Sequence, residues 1–176
     1  MNDLKGQAVL ITGASTGIGA GCALALGAFG ARVAVHYNSS QEAAEKIVQA
    51  IVDAGGEAFA LQGDLCHTAQ CERVVNEAAM RWGKIDILIN NAGAMVRRVP
   101  ITELTDEIFD EVIDLNARAM MMCTKFAVPH MKEGGSVINV TSIAARHGGG
   151  PGVALYAASK GFVSVATKGL AKELVS

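Results

Sequence analysis

The sequence lacks an excess of charge of either sign. Its formal net charge is −2, and its longest basic cluster is the pair Arg97 and Arg98. Because nucleic acids and anionic membranes attract clustered lysine and arginine side chains, neither is an expected partner. An apolar run of membrane-spanning length is also missing, and Met1 to Gln7 is too short and polar for a signal peptide. The sequence therefore predicts a cytoplasmic protein.

Cysteine patterns that would indicate a disulfide framework or a zinc site are missing as well. The four cysteines show no C-x-x-C pairing. Cys66, His67 and Cys71 lie close together in sequence, but they are too few ligands, without a recognisable spacing, for a metal site. We therefore expect these cysteines, like Cys22 and Cys123, to be small core or surface residues, and we expect no metal.

Proline and aromatic residues are scarce, whereas small and apolar residues are abundant. Three residues are proline and 5% are aromatic, but 51% are hydrophobic and 20 are glycine. This composition is typical of a tightly wound α/β protein rich in alanine, valine, isoleucine and leucine. A length of 176 residues favours a single domain, residues 1–176, with enough chain to bury a core.

Short apolar runs alternate with helical patterns along the chain, and glycine or polar turns join them. The runs are typical of strands buried on both faces, and they cover residues 7–12, 32–36, 57–61, 85–89 and 136–140. Helical patterns cover residues 18–30, 41–54 and 68–82, and a long helix begins at Thr105 as its N-cap. This alternation predicts right-handed crossovers and a doubly wound parallel sheet between two layers of helices.

A glycine turn joins the first strand to the first helix. Gly13, Gly17 and Gly19 stand in the stretch GASTGIG, which also contains Ser15, Thr16 and Ile18. A helix N-terminus beside such a turn presents free backbone N–H groups, and glycines let a pyrophosphate approach them closely. The pattern therefore favours dinucleotide binding, with a purely structural turn as the alternative.

The residues after the second strand bear on which nicotinamide cofactor would bind. An acidic side chain there would bind the adenosine ribose hydroxyls and repel a 2′-phosphate. None is present, because the segment from His36 through Tyr37, Asn38 and Ser39 to Ser40 is neutral. NADP is therefore favoured over NAD, although no arginine or lysine stands there to hold the phosphate.

The stretch from Ser142 to Lys160 carries a hydroxyl, a phenol and an ammonium. If the chain is helical from Val153 onward, Tyr156 and Lys160 share one face four residues apart. An ammonium beside a phenol favours the phenolate, which lets a tyrosine act as general acid or base. Ser142 follows the fifth strand, where ligands bind in open α/β sheets. A common helical Tyr/Lys pairing without catalytic meaning is the alternative for these two residues.

These motifs together resemble the short-chain dehydrogenase/reductase family, whose fold is a Rossmann-type doubly wound sheet. The resemblance covers the whole chain in the family's order, and its residues are the segment 12–19, Asp64, the NNAG segment 90–93, Asn116, Ser142, Tyr156 and Lys160. The stretch HYNSS after the second strand is similar to the 3-oxoacyl-carrier-protein reductase and glucose dehydrogenase branches. The resemblance implies an NAD(P)-dependent oxidoreductase that interconverts a carbonyl and a secondary alcohol.

The resemblance also implies a role for each matching residue. Tyr156 would be the acid/base and Lys160 would tune it and bind the nicotinamide ribose. Ser142 would orient the substrate oxygen, and Asn116 would hold a water in a proton relay to the lysine. The implied cofactor contacts are Asp64 and Leu65 at the adenine, Asn91, Ala92 and Gly93 beneath the riboses, and the glycine turn with Tyr37, Asn38 and Ser39 at the adenosine end.

Four further expectations accompany the resemblance. Family members continue into another strand and a substrate lid, so this chain is expected to be truncated before the sixth strand. A catalytically silent dinucleotide-binding or regulatory module is therefore the alternative function. The substrate pocket is expected at residues 95–98 and 144–152, with Arg97 and Arg98 either attracting an anionic substrate or forming a solvated pair. A homo-oligomer, a dimer or a homotetramer, is expected to form through the long helix and the Tyr/Lys helix.

Overall fold

Five parallel strands form a single central sheet in the computed structural model of the protein. The structure describes residues 4–174. The strands are β1 (Ala8–Ile11), β2 (Arg32–Tyr37), β3 (Glu57–Gln62), β4 (Ile87–Asn90) and β5 (Ser136–Asn139), in the order β3-β2-β1-β4-β5. All five predicted strands are confirmed, with ends shifted by two residues at most. Residues 1–3 and 175–176 lie outside the described residues.

Seven helices accompany these strands in residues 4–174. They are α1 (Gly17–Ala28), α2 (Gln41–Asp53), α3 (Thr68–Trp82), α4 (Asp106–Ile113), α5 (Ala119–Ala127), α6 (Ala144–His147) and α7 (Ala154–Leu174). Thr105 is the predicted N-cap of α4, and its side chain accepts a hydrogen bond from the N–H of Ile108. The predicted long helix is confirmed as one helical segment through α4 and α5, which a π-helical turn, Asp114–Arg118, joins.

Each face of the sheet is buried against its own helices. Alternate side chains of a strand point to opposite faces, so Leu10 packs with α3 and α5, whereas Val9 and Ile11 pack with α1 and α2. All three side chains are fully buried. The sequence-predicted α/β fold with helices on both sides of a parallel sheet is therefore confirmed.

The position of β1 between β2 and β4 creates the crevice of the molecule. The chain leaves β1 for α1 and β2 on one side, and it returns to β4 on the other side of β1. Beyond the turns that follow them, β1 and β4 therefore lead to helices on opposite faces of the sheet, and ligands bind at such a carboxyl edge in open α/β folds.

The other edge of interest is β5, which ends the sheet. Its side chains are only partly covered, and Ile138 is 50% exposed. An apolar edge strand of this kind normally acquires a neighbour, so a further strand of the same polypeptide beside β5 stays a prediction. No helix in the described part of the chain combines the length and the apolarity of a membrane span.

Gly19 in the first turn of α1 allows the helix to lie against the glycine turn. A Cβ atom at Gly19 would meet the carbonyl oxygen of Gly13 and would lie 2.5 Å from Nδ2 of Asn91. Gly21, two residues later, is exposed and has open space at the same position. A side chain is therefore excluded at Gly19 and has room at Gly21.

We predict that Gly19→Ala and Gly21→Ala change stability in opposite directions. The methyl group of Gly19→Ala enters occupied space and lowers the free energy of unfolding by about 1–3 kcal/mol. Gly21→Ala, the matched control, raises it by roughly 0.5–1 kcal/mol because alanine loses less backbone entropy in a helix. Urea denaturation of both variants measures the difference. Equal midpoints would contradict the close approach at Gly19.

Candidate active site

A cleft of about 450 Å³ opens at the carboxyl edge of the sheet, above the crevice between β1 and β4. Fourteen of the predicted site residues line it: Gly13, Ser15, Thr16, Gly17, Ile18, Asn38, Ser39, Asp64, Leu65, Asn91, Ala92, Gly93, Tyr156 and Lys160. These residues come from segments far apart in sequence. The fold therefore brings most of the predicted cofactor contacts and two of the four predicted catalytic residues together.

Four predicted site residues do not line this cleft. Gly19 lies beneath the glycine turn. The side chain of Tyr37 is 9% exposed and belongs to the core cluster on the α1/α2 face. Asn116 is buried behind Gly93, and the Oγ atom of Ser142 accepts a hydrogen bond from the N–H of Ala144 at 3.1 Å. These residues support the cleft or border it and do not form its wall.

The glycine turn forms an anion cradle at the start of α1. Gly13 and Gly17 have φ values of 62° and 57°, which favour glycine, and a Cβ at Gly17 would meet no atom within 4 Å. Thr16, the N-cap, makes no side-chain capping bond to the helix. The first N–H groups of α1 therefore face the cleft without an internal partner, and this arrangement fits a pyrophosphate.

Thr12 and Asn91 hold the two loops of the crevice together. The buried hydroxyl of Thr12 accepts hydrogen bonds from the N–H groups of Asn91 and Ala92, each at 3.0 Å. Asn91 Nδ2 in turn donates to the carbonyl oxygens of Thr12 and Gly13, each at 2.9 Å. The sequence patterns assigned no role to the Thr12 hydroxyl. A polar residue at the end of an otherwise apolar strand was the available signal.

His36 is a second residue whose role the sequence did not reveal. It lines the cleft, yet only 2% of its surface is exposed. Burial is the main cause that lowers the pKa of its imidazole from 6.5 to about 4. His36 is therefore neutral at neutral pH, and both of its ring nitrogens lie within hydrogen-bond distance of main-chain atoms.

Lys160 lies beside Tyr156 on α7, as the spacing predicted. Its ammonium is 6.0 Å from the centroid of the Tyr156 ring, and Nζ donates to the carbonyl oxygen of Val140 at 3.1 Å. Lys160 is 4% exposed, and burial lowers the pKa of its ammonium. The hydroxyl of Thr141 donates to the Lys160 carbonyl oxygen at 2.8 Å, so the end of β5 holds this turn of α7 at two points.

Asn116 lies next to the lysine in the π-helical turn. Its Nδ2 donates to the carbonyl oxygens of Ala94 at 2.8 Å and Val112 at 2.9 Å. The Val112 carbonyl is the acceptor that the Asn116 N–H would use in a regular α-helix, so the side chain competes with the helix ladder there. Its Oδ1 is buried and has no hydrogen-bond partner among the described residues.

Gly93 leaves room between these two polar groups. A Cβ at Gly93 would lie 2.7 Å from Asn116 Oδ1 and 2.7 Å from Lys160 Nζ. The two atoms are therefore no farther apart than twice that distance. The fold places a lone acceptor and a buried ammonium on either side of a residue without a side chain.

Comparison with known proteins decides the family. The family model described as short chain dehydrogenase matches residues 7–176, nearly the whole chain. The chain belongs to the short-chain dehydrogenase family.

Curated relatives of this short-chain dehydrogenase include two oxidoreductases. Hydroxynaphthalene reductase arp2 of Aspergillus fumigatus is 42% identical over 170 residues, which are 97% of this chain and 62% of the relative. An uncharacterised oxidoreductase of Methylorubrum extorquens is 38% identical over 174 residues, which are 99% of this chain and 69% of the relative. The chain thus spans less than two thirds of the length of the first of these relatives.

Solved structures similar to this short-chain dehydrogenase have been obtained with either nicotinamide dinucleotide. The NADH-dependent reductase A1-R′, complexed with NAD, matches with a TM-score of 0.95 and 37% identity over 99% of this chain and 75% of that one. A short chain dehydrogenase from Burkholderia cenocepacia in complex with NADP matches with a TM-score of 0.94 and 37% identity, over 97% of this chain and 69% of that one. The neighbours therefore support a nicotinamide cofactor without choosing between NAD and NADP.

A second pocket, of about 260 Å³, adjoins the cleft of this short-chain dehydrogenase. Tyr156 lines both cavities. The other lining residues of the second pocket are Met95, Arg97, Val99, Ile101, Leu104, Ile108, Val112, Gly150, Pro151, Gly152, Ala154 and Leu155. The wall is almost entirely apolar, and the phenol stands where the two cavities meet.

The loop after β4 shapes one side of the second pocket. Val96 has a φ of 61°, which is strained for a β-branched residue, and the N–H of Arg97 donates to the Met95 carbonyl oxygen at 2.7 Å across it. Arg97 is paired with Glu111 at 3.1 Å, and Arg98 donates to the carbonyl oxygen of Pro151 at 3.1 Å. The two arginines that the sequence offered for an anionic substrate thus both have partners.

Metal ligation finds no support in residues 4–174. No group of three or more histidine, cysteine, aspartate or glutamate side chains is placed to hold an ion there. Cys22, Cys66, Cys71 and Cys123 are all free thiols, and the last two are buried.

Proposed function

We propose that this protein is an NAD(P)-dependent oxidoreductase that interconverts a carbonyl compound and a secondary alcohol by hydride transfer. The position of Tyr156 carries the proposal. Its phenol borders the dinucleotide cleft and the apolar pocket at once, and the buried ammonium of Lys160 lies beside it. A proton donor is needed at the point where a substrate oxygen would meet the cofactor.

The described residues fit the cofactor along the whole cleft. The glycine turn and the start of α1 would hold the pyrophosphate, Asp64 and Leu65 would contact the adenine, and the segment 91–93 would lie beneath the riboses. When bound, the nicotinamide supplies or accepts the hydride. The protein's own contribution is to orient both reactants and to handle the proton.

Proton transfer is the task of the residues around Tyr156. Its hydroxyl would donate a proton to the substrate oxygen in reduction and take one in oxidation, and Ser142 would orient that oxygen. The Lys160 ammonium lies 6.0 Å from the centroid of the Tyr156 ring. The unpartnered Oδ1 of Asn116 would accept a hydrogen bond from a water that connects Lys160 to solvent.

We predict that Tyr156→Phe abolishes turnover and leaves cofactor affinity within about twofold, because only the proton donor is removed. NADPH fluorescence titration measures binding, and the oxidation of NADPH with a panel of carbonyl substrates measures turnover. Tyr37→Phe is the matched control, since the only other tyrosine lies in the core away from the cleft.

Two outcomes of this experiment would change the proposal. Unchanged turnover by Tyr156→Phe would refute the role of the phenol. Cofactor binding by the unaltered chain, without oxidation of NADPH or NADH by any substrate, would favour the alternative of a catalytically silent dinucleotide-binding module. The exposed edge of β5 is the observation that supports this alternative.

NADP is the cofactor that the adenosine end of the cleft favours. Asn38, Ser39 and Ser40 line that end, and all three are neutral and exposed. A 2′-phosphate therefore meets hydrogen-bonding groups and no carboxylate from this segment. The similar structures contain either NAD or NADP, so the proposed preference for NADP rests on Asn38, Ser39 and Ser40.

We predict tighter binding of NADPH than of NADH, and loss of this preference in Asn38→Asp. The substitution keeps the side-chain shape and adds one negative charge, which weakens NADPH binding about tenfold through repulsion of the 2′-phosphate. NADH lacks that phosphate, so its affinity in the same variant is the internal control. An equal change for both cofactors, measured by isothermal titration calorimetry, would place the 2′-phosphate elsewhere.

The apolar pocket beside Tyr156 would hold the rest of the substrate. A substrate rich in hydroxyl groups would lose hydrogen bonds there, because few polar groups line the wall. The similarity to 3-oxoacyl-carrier-protein reductases and glucose dehydrogenases stays a prediction, and one of the relatives named above is a hydroxynaphthalene reductase. Competition of matched apolar and polyhydroxylated ketones for turnover would test the inference.

A homo-oligomer is the assembly that we infer, and a second copy of the chain is its partner. An apolar groove of about 440 Å³ lies between the α4–α5 segment and α7. Phe109 and Phe162 border it and are each 45% exposed, and Met121 and Met122 lie in it. Exposed apolar faces on the two helices that the family resemblance singles out fit pairing with the same face of another subunit.

We predict that Phe162→Glu shifts the protein to a smaller assembly in light scattering after gel filtration, because a charge would be buried between subunits. Phe29→Glu is the matched control, because Phe29 is similarly exposed but lies at the end of α1, outside the groove. A monomer in the unaltered protein would refute the assembly. The cytoplasmic location also stays a prediction, which cell fractionation would test.

A further inference from the structure

The side chain of His36 joins two loops on opposite sides of its strand. Its Nδ1 lies 3.0 Å from the N–H nitrogen of Gly13, and its Nε2 lies 2.9 Å from the carbonyl oxygen of Gly63. Gly13 belongs to the glycine turn after β1, and Gly63 follows β3. Both glycines line the dinucleotide cleft together with His36.

The main chain of the same strand end strengthens this connection. The carbonyl oxygen of His36 accepts from the N–H of Ala14 at 2.7 Å, and that of Tyr37 accepts from the N–H of Gly63 at 2.9 Å. The strand end therefore contacts each loop through one main-chain bond and one bond to the same imidazole. These bonds set the separation of the two loops.

The hydrogen bonds assign the state of the ring. Because the Gly13 N–H is a donor, Nδ1 is an acceptor, and the proton is on Nε2, where it is donated to the Gly63 carbonyl. A protonated ring would present a second N–H to the Gly13 N–H, and the two donors would repel. Burial disfavours that form, and it holds the pKa of His36 at about 4. Asp64 and Arg73 are the charged groups that act on the ring.

We propose that His36 is a positioning residue for the cofactor, whose neutral imidazole holds the glycine turn and the Gly63 turn at the separation that the adenosine part of the dinucleotide requires. The proposal rests on the proposed function. It adds a residue that contacts the loops through its ring and determines the affinity of both cofactors. A histidine that served packing alone would affect stability without affecting affinity.

Two substitutions separate the two bonds of the ring. In His36→Asn, the side-chain oxygen stands near the position of Nδ1 and can accept from the Gly13 N–H, but the side chain is too short for the Gly63 carbonyl. In His36→Gln, the amide reaches toward Gly63 and leaves the Gly13 N–H without its acceptor. The glycine turn would hold the pyrophosphate of the proposed cofactor, so we expect affinity to depend on the Gly13 bond.

We expect His36→Gln to weaken NADPH and NADH equally, by about tenfold each, because a buried N–H loses its partner. His36→Asn keeps affinity within about threefold of the original chain, and kcat at saturating cofactor stays within about twofold for both variants. His130→Gln is the matched control, since His130 Nε2 contacts Asn76 at 3.0 Å outside the cleft. Fluorescence titration at 15 °C, with melting curves for each variant, gives affinity and stability separately.

Equal affinities in all four chains would overturn the proposal, and so would equal losses in His36→Asn and His36→Gln. Neither result affects the proposed function, because both require that the original chain binds the cofactor. Absence of binding in the original chain would overturn both. The two failures are therefore distinguishable in one titration series.

A pH profile of NADH affinity keeps the proposal testable if His36→Gln does not fold. NADH has no 2′-phosphate, so that group does not titrate in the experiment. In the original chain, affinity is expected to fall as the pH drops from 5 through about 4, because a growing fraction of His36 is protonated and repels the Gly13 N–H. His36→Asn lacks this component. Identical profiles in the two chains would overturn the proposal.

Discussion

The close approach of two backbone segments, the turn after β1 and the turn after β4, is the constraint on which the site depends. Gly13 and Gly19 make the approach sterically possible, because a Cβ on either would run into the opposite segment. Thr12 and Asn91 then fix it through hydrogen bonds from side chain to main chain. Since buried peptide groups must be paired, these bonds stabilise a crevice that would otherwise expose unpaired donors.

Burial of an ammonium is the second consequence of this arrangement. Lys160 is almost fully covered, yet the only described hydrogen bond of its ammonium is to the Val140 carbonyl oxygen, and burial lowers the pKa of that ammonium. Desolvating a charge without a counter-ion is unfavourable. The fold retains this lysine where it faces the cleft and Tyr156, which is the kind of perturbed group that marks functional sites.

The sheet was predictable from the sequence because its five strands are buried apolar runs separated by strong turn signals. The helices α1, α2 and α3 were predictable because each shows a helical pattern that ends at or just before a glycine. The π-helical turn between α4 and α5 was not, because Asn116 contacts Ala94, a residue that is distant in sequence. The short helix α6 is too short to show a periodic pattern. Only the structure shows that it ends at Gly148, which has a left-handed conformation with a φ of 80°.

The sequence by itself determined the order of strands and helices, the glycine turn and the Tyr/Lys spacing on α7, because these depend on local periodicity and backbone freedom. The tertiary structure decided how the distant pieces meet. It placed Tyr156 between two cavities, paired Arg97 with Glu111 and turned Tyr37 into the core. It also placed His36 between two loops. Such contacts join residues from different strands, and no local pattern encodes the distance between them.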